Sequence, residues 1–561
     1  MPPADPPIDR GLIREILTAY QAHSCAIRAE FVSSKSEFKC FLQDFVTADG
    51  IDDRCVTNGA QRLFILGSGM KSLINFALYR MIEEGGDVFG NDHEVRRLMA
   101  NAWEADAFGL YNALRKLRKL PAAMVPAKYT PYLCQLMTHT NAFPAFQRGL
   151  IALDGTFIMS EDTFCETVAN IMDSIPKPSK GKFCYSNWNT LFLAFIIEHA
   201  TGEPLSQALK RIVLNYCGMN NTCFDLETLR KKEHMIVSPH VTTAESGLLQ
   251  TDIPSFLDSG AALAIGGGFS CVEDMTRFLQ VLHGRVLNGD ERFRDIFFRS
   301  EDEITDGECI KRSFLGGIFS DLDSEATGSE SFERIPGSKV YTLGRYDGQS
   351  IAAISKAGAV RGYASHFFII PKMGMIMSVM TNTSGVADPS LVVSQFIIQS
   401  VLGLKPAIRF SRQMMAEIFK EKQSILKSDT RCHQADKGFS SQECKELQGE
   451  YVETLTRRHL IIEQAGQNTL RAYMKESSRS TSIQTTKMKL IKIAENVVTF
   501  LPELSNVAID TYHSWKLVEF QVKRSREGKI YALDRADITS SPKLRSTWYN
   551  DFNESFKHVD G

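Results

Sequence analysis

Residues 64–72 read Phe64-Ile65-Leu66-Gly67-Ser68-Gly69-Met70-Lys71-Ser72. The apolar residues Leu63 to Leu66 read as a strand and the glycines as a turn. A helix is predicted from about Ser68 to Glu84, stopped by Gly85-Gly86. Residues three apart share a helix face, so Ser68 and Lys71 are predicted to enter one pocket. A serine hydroxyl is a weak nucleophile at neutral pH and needs a nearby base or cation. The helix N-terminus supplies partial positive charge, which favours a developing anion. Beyond Lys71 the helix is apolar almost all round (Leu73, Ile74, Phe76, Ala77, Leu78, Met81, Ile82), which marks it as buried.

Ser-x-x-Lys alone is a weak signal, because it recurs by chance in long chains. The same string also imitates the end of a phosphate-binding loop. That motif needs glycine directly before its lysine, where Met70 stands, and a first glycine where Ile65 stands. The phosphate reading therefore fails, and the pair needs partners from elsewhere in the chain.

The chain has 561 residues, 43% hydrophobic and 23% charged, with a net charge of −2. This is room for two or more domains with sizeable cores, and gives no electrostatic reason to expect nucleic acid or an acidic membrane as partner. The basic runs Arg115-Lys116-Leu117-Arg118-Lys119 and Lys523-Arg524-Ser525-Arg526 read as a solvated helix face and a hairpin tip. Residues 1–10 are Pro-rich, read as disordered, and lack the apolar core of an export signal. No stretch approaches the roughly 20 apolar residues of a membrane span. Twelve scattered cysteines then read as free, mostly buried thiols in the reducing cytoplasm. No metal and no cofactor is expected.

A helix and two or three strands are expected between Leu12 and Leu66, and residues 73–250 read as mainly helical, including Glu161–Asp173 and Trp188–His199. Strands follow at Gln349–Ile354, His366–Ile370 and, after the Pro371-Lys372-Met373-Gly374 turn, Met375–Thr381, whose methionines read as sheet core. Helices are predicted at Ser390–Leu402 and Arg412–Lys427, and a polar linker at 428–442. Seven short strands of period two then point to a small antiparallel barrel: Gly449–Thr454, Leu460–Gln464, Thr469–Met474, Met488–Ala494, Val497–Leu501, Lys516–Val522 and Ile530–Asp534.

Three segments supply candidate partners for Ser68. Phe183-Cys184-Tyr185-Ser186-Asn187 precedes a helix, Ser355-Lys356-Ala357-Gly358-Ala359 reads as a strand end before a turn, and Leu136-Met137-Thr138-His139-Thr140-Asn141 reads as a capped helix end. Taken singly, Tyr185 is an ordinary packed aromatic and Lys356 an edge lysine. In this order, Ser-x-x-Lys, Tyr-Ser-Asn and Lys-x-Gly, they resemble the serine β-lactamase and penicillin-binding-protein superfamily. The similarity is to the branch of class C β-lactamases, D-aminopeptidases and esterases. It also runs through Leu136–Pro144, Tyr185–Thr222, Gly266-Gly267-Gly268-Phe269-Ser270 and Lys356–Asn382, covering roughly residues 12–405.

The resemblance implies an α+β fold of the β-lactamase/transpeptidase type, an antiparallel sheet flanked by helices with a helical subdomain. It would occupy residues 11–405, followed by a helix and linker at 406–442 and a lipocalin-like β-barrel domain at 443–561. Ser68 would form an acyl-enzyme, with Lys71 and Tyr185 jointly managing its proton. The backbone N–H groups of Ser68 and Ala359, the latter after Gly358, would form an oxyanion hole. Asn187 would hold the acyl side chain or orient Lys71, and Lys356 would meet a substrate carboxylate or support Tyr185. Many esterases of this branch carry His where Lys356 stands, which tilts the substrate toward a carboxylated one. Arg361 is either an anion ligand or an exposed loop residue, and the long segment Asp92–Lys128 would reshape the acyl pocket.

The activity implied is hydrolysis of an ester, amide or lactam of a small metabolite or peptide, including a place in natural-product biosynthesis. An acyltransferase or cyclase would use the same residues, and a non-catalytic binding protein is the third alternative. A small-molecule or peptide substrate is the partner expected; oligomeric state is left open.

Overall fold

The computed structural model describes residues 8–32, 37–49, 59–124, 130–141, 143, 147–154, 156–174, 185–242, 248–254, 260, 263–287, 293, 300–305, 308–313, 318–321, 343–384, 388–404, 436–475, 485, 487–501, 518–535 and 555–559. The helix expected at Arg412–Lys427 lies outside these residues. The chain enters the fold earlier than the disordered reading of 1–10 allows, since Asp9 caps a helix that starts at Arg10 by accepting from the N–H groups of Gly11 and Leu12.

The centre is an eight-stranded sheet in the order β2-β1-β12-β11-β10-β9-β8-β7, every pairing antiparallel. Its strands are β1 (Ser24–Val32), β2 (Phe38–Thr47), β7 (Ser300–Thr305), β8 (Glu308–Ser313), β9 (Ile318–Asp321), β10 (Ala352–Val360), β11 (Tyr363–Ile370) and β12 (Met375–Thr381). β11 and β12 are buried along their whole length, which accounts for their unbroken apolar reading. Met375, Met377 and Met380 are core, as expected for sheet residues. The helices Arg10–Ala19 and Pro389–Leu402 cover one face through Ile13, Leu17, Val393 and Ile397. The other face is covered by the helix Val272–Leu287, whose Thr276 hydroxyl donates to Ser378 on β12, with the helix Met70–Glu83 and the rest of the helical region beyond it.

The Met70 helix ends at Glu83 with Glu84 as its C-cap, but Gly85-Gly86 opens a further short helix, Gly85–Phe89, rather than a loop. The helices Glu161–Ser174 and Asn187–Thr201 stand where they were expected. The first basic run departs from its solvated reading. Arg115 is buried and donates to the carbonyl of Pro121, the Tyr111 hydroxyl and Glu161. Arg118 donates to the carbonyls of His199 and Ala200, the last turn of the Asn187–Thr201 helix. Arg118 thus caps a neighbouring helix C-terminus, where its guanidinium satisfies carbonyls that the helix leaves unpaired. The second run does form a hairpin tip, between β19 (Phe520–Arg524) and β20 (Ile530–Arg535).

The tail is a closed antiparallel barrel of eight strands, not seven. β14 (Gly449–Glu453), β15 (His459–Gly466), β16 (Thr469–Lys475), β17 (Met488–Ala494) and β18 (Val497–Leu501) lead through β19 and β20 to β21 (Ser555–His558). β21 closes the ring by pairing with both β20 and β14. Aromatic rings cluster among its buried residues, with the Phe520 ring 5.5 Å from Phe500 and 5.7 Å from Phe556. A helix at Ser441–Leu447, across the boundary expected between linker and barrel, is held by a Ser440–Glu443 capping box. Barrel and helical region share one continuous apolar core. Buried Arg458 crosses between them, its Nη1 2.7 Å from the carbonyl of Ile151. Among the described residues no helix is long and apolar enough to cross a membrane.

Candidate active site

Every residue from Leu63 to Ile82 is buried except Ser68. The exposure follows from local geometry. β3 (Phe64–Ile65) pairs with β6 (Phe269–Ser270), and Gly67, in the left-handed region at φ 54°, turns the chain into a 3-10 turn at Gly67–Gly69. The α-helix proper starts at Met70, two residues later than read from sequence. Met70 fills the space over Gly268, where a Cβ would lie 2.4 Å from its Sδ. The residue that excluded a phosphate loop therefore has a packing role.

Ser68 Oγ lies 2.6 Å from the hydroxyl of Tyr185, and Lys71 Nζ donates to Ser68 Oγ at 3.2 Å. Lys71, fully buried, also donates to the carbonyl of Ile265 at 3.3 Å. Tyr185 precedes Ser186, the N-cap of the Asn187–Thr201 helix, and its ring is approached by two lysine side chains. Lys71 Nζ is 5.0 Å and Lys356 Nζ 5.6 Å from its ring centroid. Lys356, Gly358 and Ala359 lie in the last half of β10, before the Arg361-Gly362 turn as read from sequence, though the strand itself runs past the expected Ile354 to Val360. A Cβ on Gly67 would meet Ala359 N at 2.5 Å, so that amide adjoins the Ser68 elbow. Asn187 is the first residue of its helix and half-buried, and Arg361 lies in the turn between β10 and β11, also half-buried. The segment after Asp92 packs on the Asn187–Thr201 helix through Phe108 and Tyr111, whose rings lie 5.6 and 5.1 Å from Phe192.

Two contributors were not identified from sequence. The carbonyl of Ile265 is a main-chain group, signalled only by the Gly266-Gly267-Gly268 run that lets this segment approach the elbow. A Cβ on Gly266 would come within 3.1 Å of Gly67 Cα. His139, read as part of a helix end, lies with its ring 4.7 Å from that of Tyr185. Behind the sheet, opposite Ala357 on β10, His366 is buried; burial, with Lys356 nearby, pushes it down to about 3.

An antiparallel sheet with a serine–lysine elbow on a buried helix and a tyrosine above it defines the serine-hydrolase fold of the β-lactamase type. Residues 53–399, more than half of the chain, match the family described as β-lactamase, and the chain belongs to that family. Among solved structures, a penicillin-binding protein homologue from Pyrococcus abyssi, described as octameric, aligns over 98% of this chain and 100% of its own at 16% identity and TM-score 0.49. A D-amino acid amidase from Ochrobactrum anthropi SV3, complexed with L-phenylalanine amide, aligns over 74% of this chain and 99% of its own at 15% identity and TM-score 0.45. A β-lactamase/D-alanine carboxypeptidase from Yersinia pestis aligns over 70% of this chain and 98% of its own at 14% identity and TM-score 0.45. No curated protein matches the sequence.

Proposed function

We propose that the protein is a serine acyl-enzyme hydrolase acting on an ester, amide or lactam of a small metabolite or peptide. The observation that carries this is the hydrogen-bonded set of Ser68 Oγ, Tyr185 OH and Lys71 Nζ at 2.6 and 3.2 Å. Ser68 Oγ attacks the substrate carbonyl while its proton passes to the Tyr185–Lys71 pair. The same pair returns a proton to the leaving group. The ammonium groups of Lys71 and Lys356 beside the Tyr185 ring favour negative charge on its oxygen. The N–H groups of Ser68 and Ala359 receive the tetrahedral oxyanion. Lys356 and Asn187 meet a substrate carboxylate and the acyl side chain. Water then releases the acid.

The test is labelling with a fluorophosphonate or a β-lactam, followed by mass spectrometry of the adduct. A single adduct on Ser68, absent from Ser68→Ala, is expected. Absence of that adduct, or its persistence in Ser68→Ala, overturns the proposal.

A further inference from the structure

Tyr185 can serve Ser68 only if its ring and its backbone are both held, and the groups that hold them converge on one side chain. His139 closes the helix Leu133–Thr138 in a left-handed conformation, φ 57°, where Gly or Asn is the usual choice. Its ring is buried and lies 4.7 Å from the Tyr185 ring at an interplanar angle of 37°. Its Nδ1 receives the backbone N–H of Ser186 at 3.2 Å. That N–H can only donate, so Nδ1 is the acceptor and, in the neutral imidazole, the proton sits on Nε2. Asn189 Nδ2 reaches the same Nδ1 at 3.1 Å and is itself locked to Asn141 by reciprocal amide bonds of 2.6 and 2.9 Å. All these groups are buried, so each bond is costly to leave unmade.

We propose that His139 is the positioning residue for Tyr185: its ring face fixes the phenol, and its Nδ1 fixes the peptide that follows. The Asn141–Asn189 amide pair holds the imidazole in that orientation. Through these contacts His139 acts on the nucleophile by way of Tyr185. The proposal rests on the acyl-enzyme reading above.

The test is a double-mutant cycle on the rate of Ser68 labelling by a fluorophosphonate, with His139→Leu and His139→Asn each made in the native and the Tyr185→Phe background. Asn retains an acceptor near Nδ1 and suits a left-handed backbone, whereas Leu offers neither. In the native background we expect His139→Leu to slow labelling about thirtyfold and His139→Asn to recover to within about fivefold, since a misplaced group forfeits most of its contribution. With Tyr185→Phe already in place, neither substitution should change the residual rate more than about twofold. Native labelling rates in His139→Leu overturn the inference, and so does equal slowing in both backgrounds, which would mark a general effect on folding. Failure of the unmutated protein to label at Ser68 reads differently, since it removes the acyl-enzyme reading and this inference together.

Discussion

Gly358 faces the carbonyl oxygen of Leu66 so closely that a Cβ on Gly358 would lie 2.1 Å from it. The same Cβ would lie 2.8 Å from Gly69 N and 2.7 Å from Ser365 Oγ, a hydroxyl that itself donates to Leu66 O and Gly358 O. β10 and the Ser68 elbow are thus in main-chain contact, with no room for a methyl group. We expect Gly358→Ala to push them apart, destabilise the protein by about 1–3 kcal/mol and slow Ser68 labelling by about a hundredfold. Labelling kinetics and urea unfolding on the same sample check both effects.

Gly284 is the opposite case. It lies inside the helix Val272–Leu287, and an added Cβ would meet nothing within 4 Å among the described residues. Helix interiors disfavour glycine, so Gly284→Ala should stabilise by about 0.5–1 kcal/mol with labelling unchanged. A urea midpoint that does not rise would contradict this.

His366 is expected to make the fold acid-sensitive. Its Nδ1 and Nε2 have no hydrogen-bond partner among the described residues, and its ring stacks on Phe368 at 4.7 Å. Folded, it titrates at about 3, while the unfolded chain takes up the proton near about 6.5. Below about 6.5 the unfolded state therefore binds more protons. Stability that is complete above that pH is lost as the pH falls toward the folded value, at up to about 1.4 kcal/mol per pH unit. His366→Phe removes this titration and should flatten the loss between about pH 6.5 and 4.5 by about 2–3 kcal/mol. Urea unfolding at pH 7.5 and 4.5 decides; parallel losses in both proteins would refute the assignment.

Arg458 should matter to both halves of the chain. Its guanidinium bonds Thr456 Oγ1 and the Ile151 carbonyl, both at 2.7 Å and both buried. Arg458→Met leaves that carbonyl buried without its donor, at a cost of about 1–3 kcal/mol. Since barrel and helical region share a core, tryptophan fluorescence and far-ultraviolet circular dichroism should shift together. A transition split between the two probes would count against this coupling.

Much of the fold was legible because periodicity survives packing. β11 and β12 read as unbroken apolar runs, and the barrel strands alternate with period two, as in β16, where Leu470, Ala472 and Met474 point inward. What sequence pattern missed shares one cause: it records which residues are polar, but not what they meet. Arg115 and Arg118 look like a wetted helix face until a second helix end is placed against them. Ser555–His558 is four residues long with one buried side chain, too short to show a period. At the site, Ser68, Lys71, Tyr185 and Lys356 were visible as candidates because each carries a polar group on its side chain, within motifs in a known order. His139 was visible only as part of a block, since its task depends on a ring 46 positions downstream in the sequence.

Lys71 takes its bearing from the main-chain oxygen of Ile265, a group that every residue at that position would supply. Exchange of the side chain there alters shape and volume beside the lysine but leaves its acceptor in place. Position 265 can therefore vary in sequence without removing the acceptor that orients Lys71. The bearing of Lys71 is in that respect insulated from drift at the residue beside it.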